Sequence, residues 1–264
     1  IDCTGNASIA ALAGYNRLRE HETQPGSLIF ELEGFDYTTL DEKEIKILFE
    51  KALNEGKLLR TDGYNGIHSI LNTHAGLSVQ HVKNANSATS ALHTQANIDG
   101  RASLLRILRF VRTIPGCENA RIKKMQPETA IRETYRIDGE YLITVDDYIS
   151  GKVFDDALSY SFYPIDLHVE EGVEPKHLEE GMVPTVPLRA LIPKSSENLL
   201  IAGRCVSSDR LANSALRVQA SCMGMGQSAG VVAALACKLE VSPLNVPLAV
   251  IKKTLREQGG IVPE

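Results

Sequence analysis

Residues 197–236 read ENLLIAGRCVSSDRLANSALRVQASCMGMGQSAGVVAALA. Leu199, Leu200 and Ile201 make a short run that is apolar on both faces, as a central parallel strand requires. Gly203 then lets the backbone turn sharply or approach a ligand closely. A polar loop follows, and a helix of small residues is expected from about Met223. Gly226 and Gly230 are four apart, share one helical face, and present no side chain there, which leaves room for something large. A Gly-rich helix start over 223–228 would offer free N–H groups and the positive end of the helix dipole. Such a start suits an anion or an electron-rich ring.

Working outward, residues 1–19 read as a strand end, a Thr4-Gly5 turn and an Ala-rich helix. The run LIFELE at 28–33 alternates as a strand does. Residues 41–56 carry Ile45, Leu48, Phe49, Ala52 and Leu53 at amphipathic helical spacing, with Asp41 as N-cap and Gly56 as the stop. A short strand-like piece is expected at 77–82. A second helix is expected over 96–113, ended by Pro115 and Gly116. Asp138-Gly139 between two strand-like runs predicts a β-hairpin. The fold class expected is α/β: a partial Rossmann-like domain from residues 1–19 and 193–264, with residues 20–192 inserted as a larger α+β domain.

The 264 residues carry a net charge of −5, which argues against nucleic acid as the main partner. No run of some eighteen apolar residues occurs, so no membrane span is expected, and a cytoplasmic setting is the expectation. Five cysteines with no CxxC give neither a zinc site nor a disulfide framework. His68, His74, His81 and His93 have no metal-ligand spacing, so no metal is expected. No GxSxG or SxxK occurs to support a hydrolytic nucleophile.

The 197–236 stretch resembles the C-terminal flavin-binding segment of the FAD-dependent oxidoreductase family, with its pattern NLLVAGRC…S…R…GQAAG…AA. IDCTGN at 1–6 is similar to that family's IDATGD, with Asn6 where Asp is commoner. RETYRIDGEY at 132–141 is similar to RETRRIxGEY, and YPIDLH at 163–168 to YPIDIH. The resemblance implies FAD as cofactor, with Thr4, Gly5, Gly203, Arg204, Ser214, Arg217, Gly226 and Gln227 near it. Arg204 stands where many distant flavoproteins carry Asp. The inserted part would be the substrate or cap domain. No GxGxxG occurs, although such proteins hold the pyrophosphate with it. The chain is therefore read as the C-terminal portion of a longer flavoenzyme, whose N-terminal FAD-binding half is an expected partner. A second copy of the chain is another.

Three residues are candidates for substrate chemistry. Arg132 and Arg136, an even number apart in a strand-like run, would share a face and bind a carboxylate or polyhydroxylated substrate, or serve as salt-bridge residues. His168 would be the base that an alcohol needs when it loses hydride, or a structural histidine. The five cysteines read mostly as buried reduced thiols; a redox role for Cys205, beside the expected flavin, is the alternative. The function expected is hydride transfer from a small polar substrate to flavin. The alternative is a silent binding or assembly module unable to hold FAD alone.

Overall fold

The structure is a computed structural model that describes residues 1–72 and 78–264. His74 and the first residue of the strand-like piece expected at 77–82 lie outside the described residues. In chain order the elements are α1 (Ser8–Leu12), β1 (Arg17–Leu18), β2 (Phe30–Glu33), α2 (Glu42–Asn54), α3 (Ile67–Leu71), α4 (Ser90–Val111), β3 (Arg121–Met125) and β4 (Arg136–Ile137). They continue with α5 (Val145–Ile149), β5 (Ala157–Tyr160), β6 (Ile165–Val169), β7 (Gly172–Lys176), β8 (Thr185–Pro187), α6 (Arg210–Leu216), α7 (Gln219–Leu239) and α8 (Leu248–Glu257). Helices are thus mixed with small sheets, pairing β1 with β4, β2 with β3, β5 with β8 and β6 with β7.

Two compact units result. The first holds Ile1–His21, Glu133–Leu167 and Glu174–Glu264; the second holds Glu22–Arg132 and His168–Val173. By compactness, then, residues 133–167 and 174–192 group with both chain ends.

In the second unit, the amphipathic pattern of α2 takes effect as read. The Asp41 carboxylate accepts from the N–H groups of Lys43 and Glu44, and Ile45, Phe49 and Ala52 are buried. They meet Leu104, Ile107, Phe110 and Val111 of α4, with Phe30 and Leu32 of β2, in one core. Helix α4 begins earlier than its apolar stripe, because Thr89 caps it by accepting from Leu92 N–H. Gly100 is needed within it: an added Cβ would lie 2.5 Å from Thr129 Oγ1. Asp62 is fully buried and accepts from Arg106 Nε at 2.9 Å, Arg106 Nη2 at 2.7 Å and Ser103 Oγ at 2.6 Å.

The first unit shows three departures from local expectation. The chain around Asp138-Gly139 does not form a hairpin. Arg136 and Ile137 pair instead with Leu18 and Arg17, and Gly139 bridges to Pro193. Non-local partners satisfy the backbone that a local turn would have used. The run at 199–201 contributes one parallel bridge, Asp2 to Ile201, in place of a full strand. Asp2 N–H donates to Leu200 O at 2.7 Å and Ala202 N–H to Asp2 O at 3.1 Å, so the two ends of the sequence are joined.

The third departure concerns α7. It starts at Gln219, four residues before Met223, with α6 occupying the loop expected ahead of it. The glycines at 224 and 226 therefore sit inside the helix, and residues 223–228 are not its N-terminus. By length and composition α7 could cross a bilayer. Its Met225, Ala229, Val232 and Ala236, however, pack with Leu158, Ile251 and Leu255 in the core of the first unit, as a core helix does.

Candidate functional site

Residues 1–10 of the first unit fold around the Asp2 carboxylate. It is fully buried and accepts from Thr4 N–H at 2.9 Å, Thr4 Oγ1 at 2.6 Å and Ala10 N–H at 3.0 Å. Burial pushes its pKa up, but the Thr4 hydroxyl and the backbone N–H groups outweigh that and hold it below the usual carboxylate value. Thr4 Oγ1 in turn accepts from Ser8 N–H at 2.9 Å. Thr4 thus shapes the turn through its hydroxyl, and Gly5 completes it at φ +77°, in the left-handed region.

Against Gly5 lies the Arg204 guanidinium: a Cβ added there would sit 2.6 Å from Arg204 Cζ. Gly203, at φ +99°, turns the chain into Arg204. Among the described residues Arg204 has no carboxylate partner; its Nη2 donates to Asn6 Oδ1 at a long 3.5 Å, and its Nε is buried without a hydrogen bond. Burial lowers its pKa from the ordinary value, while Cys205 and Cys222 work the other way. Asn213 donates from Nδ2 to Arg204 O at 2.9 Å, and its Oδ1 is also buried without a partner. Burial pushes the Cys205 thiol up to about 11. At neutral pH it stays protonated, which removes the basis for a redox thiolate there.

Ser214 and Arg217 both meet Asp166. Ser214 Oγ accepts from Asp166 N–H at 3.1 Å and donates to Leu211 O at 2.7 Å. Arg217 Nη2 donates to Asp166 O at 3.0 Å and to Asp166 Oδ2 at 3.1 Å. Together they clamp the start of β6 to α6. Gly226 and Gln227 lie on the open face of α7; a Cβ added at Gly226 or Gly230 meets nothing within 4 Å. Arg136 is 3% exposed, donates from Nε to Ser208 O at 2.8 Å, and pairs with Glu20 and Glu133. Those partners tie β4 into the first unit and leave its charge matched.

The second unit joins the other two candidates through residues 78–81. Arg132 donates to Pro25 O at 2.5 Å and to Ser78 Oγ at 2.9 Å. Ser78 O accepts from the Tyr64 hydroxyl at 2.9 Å. The Tyr64 ring stacks on His81, with centroids 3.7 Å apart and an angle of 14°. His81 Nε2 and His168 Nδ1 are 2.8 Å apart, and both histidines are buried. The sequence analysis did not relate Tyr64 or His81 to His168, because no spacing connects them; only the fold closes that distance.

The family model for FAD dependent oxidoreductase matches residues 1–255. The chain belongs to the FAD-dependent oxidoreductase family. That family implies FAD as its cofactor. No curated protein and no solved structure matches the chain. The first unit fits the cofactor's chemistry: the half-buried Arg204 guanidinium has a buried, unsatisfied Nε and, among the described residues, no carboxylate partner, and FAD carries anionic phosphates and a flavin ring that gains negative charge on reduction.

Proposed function

We propose that the protein oxidises a small polar, hydroxylated or anionic substrate by hydride transfer to FAD. The observation that carries this is the half-buried Arg204 guanidinium, set against Gly5 with its Nε unsatisfied and with no carboxylate partner among the described residues. Arg204 and the Thr4-Gly5 turn would hold an anionic part of the cofactor, with Asn213 holding the Arg204 backbone through its donation to Arg204 O. The open Gly226 face of α7 leaves room for a ring. When bound, FAD supplies the two-electron acceptor.

His168 takes the proton that an alcohol releases as its carbon loses hydride. Arg132, which donates to Pro25 O and Ser78 Oγ, is a guanidinium of the kind that recognises a carboxylate or hydroxylated substrate. Arg136 receives no substrate role, since Glu20 and Glu133 already answer its charge.

Two measurements on the intact protein test this. Arg204→Gln should lower the affinity for added FAD, followed by flavin fluorescence, with circular dichroism unchanged; wild-type affinity would remove the Arg204 assignment. A panel of polyols and hydroxy acids should bleach the flavin anaerobically. His168→Ala should slow that bleaching by about a hundredfold, and an undiminished rate would end the base assignment.

A further inference from the structure

Leu48, Lys51 and Ala52 on α2, and Arg106, Arg109 and Phe110 on α4, repeat one spacing: i, i+3, i+4. That spacing gathers each trio on a single helical face. In the second unit the two faces line a cavity of about 480 Å³. Sites that take a small organic molecule span about 300–1,000 Å³. Buried Ala52 and Phe110, with half-buried Leu48, give the cavity an apolar floor. The Phe110 ring is held edge-on by Phe49, with centroids 6.0 Å apart at 60°. Ala52 contributes only a methyl group, so a larger side chain there would occupy the space.

The rim of this cavity is cationic. Lys51, Lys57, Arg106 and Arg109 line it with one carboxylate, Glu55. Glu55 meets Lys57 at 2.7 Å and Lys51 at 3.8 Å. Arg106 is answered by Asp62, to which it donates from Nε and Nη2. Among the described residues Arg109 has no carboxylate within ion-pair distance. Two carboxylates therefore serve four cations, and the rim keeps an excess of positive charge. Cations in the last turn of a helix also complement its dipole, and Lys51 and Arg109 stand there. A dipole, however, requires no apolar hollow beside it. The hollow and the charge together select a ligand that has both an apolar and an anionic part.

We propose that this cavity binds a small organic carboxylate carrying an apolar ring or short chain. The apolar body rests on Leu48, Ala52 and Phe110, and the carboxylate meets Arg109 and Lys51 at the rim. Arg109 suits the head group, since the planar guanidinium can donate two parallel hydrogen bonds to a carboxylate. Neither half suffices alone. A solvent-exposed ion pair contributes little, and burial of an apolar body is indifferent to charge. No residue assigned above to FAD or to the substrate lines the cavity, so binding here stands or falls independently of the flavin chemistry.

Titration of the intact, methyl-labelled protein with benzoate tests this, read from the methyl signals of Leu48 and Ala52 and from calorimetry. Benzamide has the same shape without the charge, and inorganic phosphate has charge without the apolar body. Benzoate should shift both methyl signals and bind more tightly than either comparison probe. Arg109→Gln, at an exposed position, should weaken benzoate about tenfold, as loss of a charge-assisted hydrogen bond does, and leave benzamide unchanged. Ala52→Leu should fill the floor and abolish benzoate binding; if that variant does not fold, the wild-type and Arg109→Gln titrations still decide. Unshifted Leu48 and Ala52 signals at about 10 mM benzoate, well above a millimolar dissociation constant, would overturn the site. Benzamide binding as tightly as benzoate would reduce it to an apolar hollow, and phosphate doing so would reduce it to a charged surface; either result overturns the ligand class. An unchanged benzoate affinity in Arg109→Gln would overturn the head-group contact.

Discussion

Gly5→Ala separates the two things that Gly5 does. At φ +77° an alanine is strained, by about 1–2 kcal/mol. Loss of unfolded-state freedom returns about 0.4–1 kcal/mol of that. The net loss of roughly 1 kcal/mol corresponds to a fall of about 2–4 °C in Tm for a chain of this size. The new methyl also falls 2.6 Å from Arg204 Cζ and 2.9 Å from both terminal nitrogens. The guanidinium is the far end of a flexible side chain, so it swings away at small cost to stability but leaves its place against the turn. If an anionic group of FAD is met there, a charge-assisted hydrogen bond of about 1.5–3 kcal/mol is lost, a roughly ten- to hundredfold weaker affinity. Gly14→Ala is the control: it sits in the same unit at φ +89°, and its Cβ meets nothing within 4 Å. Thermal unfolding should shift alike for the two variants, while FAD titration by flavin fluorescence should weaken for Gly5→Ala alone. Equal FAD affinity in the two would refute the placement of Arg204 at the cofactor, and an unshifted Tm in Gly14→Ala would refute the strain argument.

Three further outcomes are expected. Asp62→Ala strands Arg106 and removes the acceptor of Ser103, costing about 3 kcal/mol in denaturant unfolding; a loss below about 1 kcal/mol would show the pair to be ornamental. Gly34→Ala places a Cβ 2.3 Å from the backbone oxygen of Asn119, whereas Gly56→Ala has the same sign of φ and open space, so the first should unfold at clearly lower temperature than the second. The depressed pKa of Asp2 gives stability that is fully present above its unfolded value near 3.8 and is lost as pH falls through the lower folded value. Asp2→Asn should therefore be less stable at neutral pH, with the difference narrowing below about pH 4; a constant gap across that range would count against it.

The two long helices of the second unit were legible because their causes are local. Asp41 and Thr89 cap the next few residues, and apolar side chains at helical spacing bury one face whatever they pack on. The family was legible too, since its motifs are strings of residue types. The sequence also singled out Gly5, Arg204 and His168, but not what each one touches. His168 meets His81 across 87 positions, and Arg204 reaches Asn6 across 198. No periodicity records such pairs, because closing a long loop depends on the packing of everything between its ends. The same physics replaced the hairpin at Asp138-Gly139, whose backbone groups found better partners at Asn16 and Ile192 than across a local turn. It also moved the start of α7 to Gln219, soon after α6 ends at Leu216, and put the glycines inside the helix. Residue types and short-range spacing therefore determined the helices, the family and the chemical inventory. Only tertiary contact brought His168 against His81 and set the Arg204 guanidinium against Gly5.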